Sequence, residues 1–391
     1  MRLIPAALLA LGFALPAQAA TPCGGSFSGF LDGIRQEAAR KGLDRRATEA
    51  FLSGAQQSSA VLKADRAQGI FQLPFTDFAR RVISPNRIQN GAKNTARFDS
   101  LFDQIERSQG VSRGILLAFW ALETDYGAVQ GNFNTRNALL TLSHDCRRPQ
   151  LFRPQVFAAI ELTARGDFNP ATTTGAWAGE IGQVQMLPED ILTNGVDADG
   201  DGHVRLKSSS ADALASGARM LRGLGWRKNE PWLQEVTVPA SLDWSDSGLG
   251  KGQTVRDWSR AGVTPRWGKL PSGNMKADLL LPQGRNGPAF LAYPNFHVLF
   301  EWNKSFVYVT TAAYFATRLE GAPVFNAGNP SPALSAGHVK QLQQKLTRRG
   351  HDVGGIDGIL GAKTRAAVQA EQQRLGLPAD AWPTPDLLAR L

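Results

Sequence analysis

No apolar run in the chain is long enough to span a bilayer. The stretch Leu8–Leu15 is too short to span a bilayer and nothing later replaces it, so no integral membrane segment is expected. That early run does fit an export signal, with Arg2 as its positive start and the small residues Ala17 and Ala19 before a cut. Residues 1–19 are therefore expected to be absent from the mature chain, which should be soluble. Cys23 is preceded by Ala20, Thr21 and Pro22, not by the Leu-(Ala/Ser)-(Gly/Ala) that lipid attachment requires. Cysteine is scarce as well, with Cys23 and Cys146 alone in the chain. That excludes zinc-finger spacing, and in an exported protein the pair is expected to form a disulfide. The chain-entropy model assigns such a closed loop roughly 4 to 5 kcal/mol. Five histidines occur without any Ser-His-Asp or Cys-His pattern, so structural or surface roles are expected for them. Basic runs are absent too. The 43 Lys and Arg residues outnumber 34 Asp and Glu, for a formal net charge of +9, but they are scattered. Nucleic acid binding has little support from that distribution, whereas an anionic wall polymer or membrane surface suits the charge.

What is present across the 391 residues is room for two or three domains with a large core. Residues 28–102 read as mainly helical, with Phe30, Ile34 and Ala38 spaced four apart and breaks at Pro74 and Pro85. Ser112–Glu123 contains eight consecutive apolar residues, Ile115–Leu122. A helix apolar all round belongs in a core, and Gly127 is the expected stop. Arg153–Arg165 reads as another helix. Between Trp226 and Pro294, Gly, Pro and short β-prone pieces such as Val236–Val238 predict a smaller, loop-rich subdomain. Phe306–Leu319 closes the main domain, residues 321–333 read as a Gly- and Pro-rich linker, and residues 334–391 predict a small three-helix module.

The chemistry-bearing candidate is Glu123. It ends the apolar helix, where low dielectric and the negative end of the helix dipole both favour the protonated carboxyl that a general acid requires. Position alone is weak evidence, since a Glu at a helix end is commonly a solvated residue. A second segment follows about fifty residues later, Gly175-Ala-Trp-Ala-Gly-Glu-Ile-Gly182-Gln-Val-Gln185-Met-Leu-Pro188.

Together, Glu123-Thr-Asp-Tyr-Gly127 and this second segment resemble the lytic transglycosylases, and closest to them the membrane-bound lytic transglycosylase B family. The resemblance runs over roughly residues 28–320 and includes Tyr293-Pro-Asn-Phe296 and Trp302-Asn-Lys-Ser305. It implies an α+β, mainly α fold: a lysozyme-like catalytic domain over residues 24–320 with a small β-rich subdomain. It implies a periplasmic enzyme, expected as a monomer, that cleaves the bond between N-acetylmuramic acid and N-acetylglucosamine in peptidoglycan. Glu123 would protonate the glycosidic oxygen and then act as base on the muramyl 6-hydroxyl, closing a 1,6-anhydro ring without water. Gln185, Trp302 and Asn303 fall on its substrate-binding positions. Ala176 replaces a frequent Ser, Met220 replaces an aromatic, and Glu180 is atypical. No organic cofactor is implied.

Two further segments carry expectations. Asp197-Ala-Asp199-Gly-Asp201-Gly202-His203-Val204 matches the first eight positions of an EF-hand loop, with a backbone carbonyl at His203. Ser208 stands where a bidentate Glu is usual, and the resemblance assigns the last ligand to Asp212. A structural Ca2+ and a metal-free Asp/Gly turn both remain open. Gly354-Gly-Ile-Asp357-Gly358-Ile-Leu-Gly361-Ala-Lys-Thr364-Arg-Ala-Ala-Val368 resembles the three-helix peptidoglycan-binding domain, with Thr364 expected to cap the following helix. Two alternatives stand beside the transglycosylase. One is a hydrolytic muramidase, needing a second carboxylate such as Asp125 or Glu180; the other is a non-catalytic wall-binding scaffold.

Overall fold

The computed structural model describes residues 21–67 and 73–391; the expected export segment lies outside them. Among the described residues no helix is long and apolar enough to cross a membrane.

The chain opens with α1 (Phe27–Arg40), α2 (Arg45–Leu52) and α3 (Ser59–Arg66), each started by a side-chain cap from Ser26, Asp44 or Ser58. The stripe Phe30, Ile34, Ala38 is the buried face of α1. Helices α4 (Phe75–Val82), α5 (Pro85–Arg97) and α6 (Asp99–Ser108) follow. Pro74 and Pro85 do punctuate this stretch, but as the residue before α4 and the first residue of α5, where a missing N–H costs nothing.

Helix α7 (Arg113–Thr124) is capped by Ser112 and buries every residue from Gly114 to Ala121. It stops earlier than expected: Asp125 takes the left-handed conformation (φ 51°) at the C-cap, and Tyr126 and Gly127 continue with positive φ. Asp and Asn tolerate that region better than other non-glycine residues, and an ion pair from Arg87 Nε at 2.9 Å holds Asp125 there. A two-stranded ribbon, β1 (Phe133–Asn134) with β2 (Thr174–Gly175), brackets α8 (Thr135–His144) and α9 (Pro149–Arg165). Helix α9 begins four residues before the expected Arg153 because Pro149 opens it. Cys23 and Cys146 are disulfide-bonded, tying the start of the described chain to the α8–α9 turn.

Helices α10 (Pro188–Asn194) and α11 (Ser210–Gly223) complete the helical body. The subdomain is a four-stranded antiparallel sheet in the order β4-β3-β6-β5, built from β3 (Leu233–Thr237), β4 (Thr264–Pro265), β5 (Asp278–Leu280) and β6 (Ala289–Ala292). Short α12 (Val255–Arg260) lays the fully buried Trp258 against it. Helices α13 (Pro294–Trp302) and α14 (Phe306–Leu319) return to the main body, where α14 packs along α7. Each fully buried Leu, Ile or Phe in such a contact contributes about 2 kcal/mol relative to exposure.

The terminal module comprises α15 (Ala336–Arg348), α16 (Ala362–Arg374) and α17 (Pro385–Arg390). Thr364 does not cap α16. Gly361 occupies the cap, while Thr364 lies inside the first turn, buried, donating to the Val353 carbonyl at 3.2 Å and accepting from Gln343 Nε2 at 3.3 Å.

Candidate active site

Because α7 is apolar all round, its last turn emerges between α14 and the loop following β2, and the first carboxyl it offers is Glu123. Two donors from the α13–α14 corner reach the same oxygen. Tyr308 Oη donates to Glu123 Oε1 at 2.5 Å, and Trp302 Nε1 stands 3.4 Å from it. Trp302 is held flat against Phe119 of α7, ring centroids 4.6 Å apart, and Tyr308 stacks on the same ring at 6.3 Å. One buried phenylalanine thus sets both donors.

The carboxyl of Glu123 is pushed up to about 7, mainly by burial, with the bonds from Tyr308 and Trp302 opposing and the charge of Glu180 reinforcing the rise. Burial and the neighbouring Glu123 raise the Tyr308 phenol well above its ordinary range. Near neutrality, therefore, Glu123 exchanges its proton readily while Tyr308 remains a fixed donor. A carboxyl with that balance can give a proton to a leaving oxygen and take one back.

Glu180 reaches the site from the loop between β2 and α10. Its own carboxyl is raised, chiefly by burial, and its Oε2 is enclosed with no hydrogen-bond partner among the described residues. Asp125, the other carboxylate of this helix end, is paired with Arg87 Nε at 2.9 Å.

The loop carrying Gln185 is locked to α7. Thr124 Oγ1 donates to the Gln183 carbonyl at 2.6 Å and accepts from Gly127 N at 3.0 Å. Gly182 (φ 79°) runs so close to Leu206 that a Cβ would sit 2.6 Å from its carbonyl oxygen, so only glycine fits. Gln185 itself adopts a positive φ of 53°, and its Nε2 donates to Gly182 O at 2.8 Å. A non-glycine residue held in this region carries about 1 to 3 kcal/mol of backbone strain. Asn303 ends α13, its Oδ1 accepting from Ser305 N at 2.9 Å. It thereby shapes the corner between Trp302 and Tyr308. Ala176 precedes the tight turn closed by Ala176 N on Glu180 O at 3.0 Å, and Met220 lies on α11 at the edge of the helical core.

Sequence reasoning had no handle on Tyr308. It lies five residues beyond Asn303 on a helix that reads as plain core, and only the stacking on Phe119 reveals its role. Arg148 was also silent; it pairs with buried Asp65 at 2.5 Å while its Nε is enclosed with no hydrogen-bond partner among the described residues, and its charge acts on Glu180.

In the 197–212 loop, carboxylate oxygens of Asp197, Asp199 and Asp212 lie within 4.8 Å of one another. Backbone N–H groups of Gly200 and Gly202 fold the loop around Asp197 at 2.7 and 2.8 Å. Asp212 is fully buried and accepts from Ala198 N and Arg205 N. Three carboxylates converging on one point are a donor set suited to a hard divalent cation. Asp201 is not in that cluster; its Oδ2 is 3.5 Å from Arg205 Nε. The His203 imidazole turns to Asp167 at 2.9 Å, which leaves its backbone carbonyl as the group it can offer.

Comparison with known proteins places these features in a wider set. Residues 26–317 match the Transglycosylase SLT domain family and residues 335–391 the Putative peptidoglycan binding domain. The chain is 26% identical over 280 residues to the membrane-bound lytic murein transglycosylase B of Escherichia coli (strain K12), covering 68% of this chain and 75% of that protein. SltB3 of Pseudomonas aeruginosa, solved in complex with NAG-anhNAM-pentapeptide, superposes with a TM-score of 0.86 at 36% identity, over 94% of this chain and 99% of SltB3. Escherichia coli Slt35, solved in complex with calcium, shares the fold at a TM-score of 0.64 and 23% identity, over 79% of this chain and 98% of Slt35.

Proposed function

We propose, from the premise that the chain belongs to the Transglycosylase SLT domain family, that it cleaves peptidoglycan in the periplasm as a lytic murein transglycosylase whose acid and base are both Glu123. The observation that carries this reading is the buried Glu123 carboxyl, pushed up to about 7 by burial and gripped by Tyr308 and Trp302. Its proton passes to the oxygen leaving the anomeric carbon, and the C–O bond to N-acetylglucosamine breaks. The carboxylate so formed takes the proton of the muramyl 6-hydroxyl as that oxygen bonds to the anomeric carbon. Protons balance and no water is consumed. The substrate's own 2-acetamido group supplies the stabilisation that a second carboxylate gives in other glycosidases. Gln185 and Asn303 bind the sugar from the two loops that frame Glu123.

The test is mass spectrometry of fragments released from purified peptidoglycan by the protein and by Glu123→Gln. Ends bearing 1,6-anhydromuramic acid, lost in the variant by a factor of about 100 to 10,000, support the reading. Reducing ends would make the enzyme a hydrolytic muramidase. The observation that favours this second reading is Glu180, a second carboxyl whose charge reaches Glu123. No release by either protein would leave a wall-binding scaffold.

We further propose that Asp197, Asp199 and Asp212, with the backbone carbonyl of His203, hold a Ca2+ whose role is structural. The donor chemistry supports this: hard oxygen ligands converge on one point in a loop bent by Gly200 and Gly202. The ion would neutralise acidic charge at the loop that follows the Gln185 segment.

A further inference from the structure

The terminal module is fastened to the catalytic domain at the point from which Tyr308 is delivered. Arg365 of α16 crosses the junction. Its Nη2 donates to the Pro282 carbonyl at 2.5 Å, and its guanidinium lies 4.5 Å from the centroid of Phe306 and 5.6 Å from the ring of Trp382. Burial drives the guanidinium down to about 9, the charge of Asp380 only partly offsetting it. A cation retained in such a place is held by that carbonyl and the ring faces. Phe306 is buried and is the first residue of α14. Two residues later the same turn presents Tyr308 to Glu123.

A cavity of about 390 Å³ opens beside this contact, bounded by Phe306, Arg365, Leu281 and Ala366 among others. On that side the start of α14 meets Arg365 at the edge of the cavity. A close-packed interior would offer substitute contacts if one side chain were lost; beside this cavity fewer are at hand. The approach of the two units is tight elsewhere, since a Cβ on Gly284 (φ 73°) would lie 2.7 Å from Trp382 Cβ.

We propose that Arg365 is a positioning residue for catalysis: by bearing on Phe306 it sets the first turn of α14, and with it the Tyr308 hydroxyl on Glu123, so that the wall-binding module is a working part of the active site. The inference rests on Glu123 being the acid and base. It gives the module a role on substrates too small to engage a separate binding site. Arg365 touches neither substrate nor the reacting atoms and acts through Phe306.

The experiment measures kcat and KM, and the pH dependence of kcat, on short soluble glycan–peptide fragments with the full-length protein. The variants are Arg365→Met, Arg365→Lys, Phe306→Leu and the double variant Arg365→Met/Phe306→Leu. Arg365→Met keeps bulk and loses the cation, so kcat is expected to fall about 5-fold with KM unchanged. The alkaline limb should move, because the Tyr308 bond to Glu123 changes. Arg365→Lys should recover part of the loss. Phe306→Leu should match it, and the double variant should be no worse than the poorer single one, as expected of one coupled pair. Binding to insoluble wall and the circular dichroism spectrum should stay as in the wild type. Unchanged kcat and unchanged alkaline limb in Arg365→Met, or a rise in KM alone, would overturn the proposal, as would fully additive losses. Product chemistry separates the two readings: reducing ends from the wild type would count against the transglycosylase and leave the kinetic comparison intact.

Discussion

At the scale of single residues, the chemistry depends on how the fold treats one proton. Glu123 has a folded-state value of about 7 against 4.5 when exposed, so the folded protein binds a proton that the unfolded chain releases between those values. Stability from this group is full below about pH 4.5 and is lost as pH rises through 7, a change of roughly 3 kcal/mol at most. Glu123→Gln should therefore unfold at higher denaturant concentration than wild type at pH 8 and at the same concentration at pH 4. Equal shifts at both values would mean the carboxyl is not held protonated by the fold. The same proton governs rate. Because the acid form begins the reaction, kcat should decline above pH 7. Tyr308→Phe removes a donor that favours the carboxylate, so the decline should begin at higher pH, while the weaker acid slows proton donation and kcat drops roughly 10-fold. A pH–rate profile of the variant checks both directions at once; an alkaline limb that stays put would show that Tyr308 does not bond the carboxylate.

At the scale of elements, local pattern told more about chemistry-bearing loops than about how helices end. The buried α7, the loop after β2 and the acidic 197–212 loop are all visible as runs, glycines and spaced carboxylates. Trp302 is visible only as a residue near the cleft; that its indole points at Glu123 follows from Phe119, on another helix. The end of α7 was legible only approximately, because Gly127 is the obvious left-handed residue and the ion pair to Arg87, from a distant helix, lets Asp125 take that role first. Thr364 is similar: a threonine near a helix start is a cap by local reasoning, but Gln343 from the preceding helix recruits it to the interior. The acidic loop allows a direct test. If Asp197, Asp199 and Asp212 hold Ca2+, chelation should lower the midpoint of thermal unfolding and added Ca2+ should restore it, by about 3 kcal/mol when the ion is at a hundred times its dissociation constant. Asp199→Asn should blunt that response without changing the wild-type midpoint measured in chelator. A chelator-insensitive midpoint would make the loop a plain Asp/Gly turn.

At the scale of the molecule, the question is whether two domains joined by a linker behave as two bodies. Composition reads residues 321–333 as a linker, and the segment is strapped down. Phe325 is buried in the main core, its N–H donates to Tyr314 Oη at 3.1 Å, and Asn326 N donates to Glu235 Oε1 at 2.7 Å. Beyond the strap, Gln369 of α16 projects its amide into the catalytic subdomain, where Nε2 lies 2.8 Å from Ser247 O and 3.1 Å from Trp244 O, as well as 3.0 Å from Ala379 O of its own module. Prolines and glycines record the absence of helix and strand but say nothing of such tertiary partners. A module of this size, with few apolar residues of its own, gains much of its stability from what it docks against. Calorimetry of the full chain should therefore show the module unfolding together with the subdomain in one transition. Gln369→Leu keeps the volume but leaves the carbonyls of Ser247, Trp244 and Ala379 without this donor, at a cost of about 1 to 3 kcal/mol for each one left unsatisfied. It should split the endotherm, the smaller, earlier peak belonging to residues 334–391. Two transitions already present in the wild type would mean the module is a tethered anchor whose docking contributes nothing to its stability.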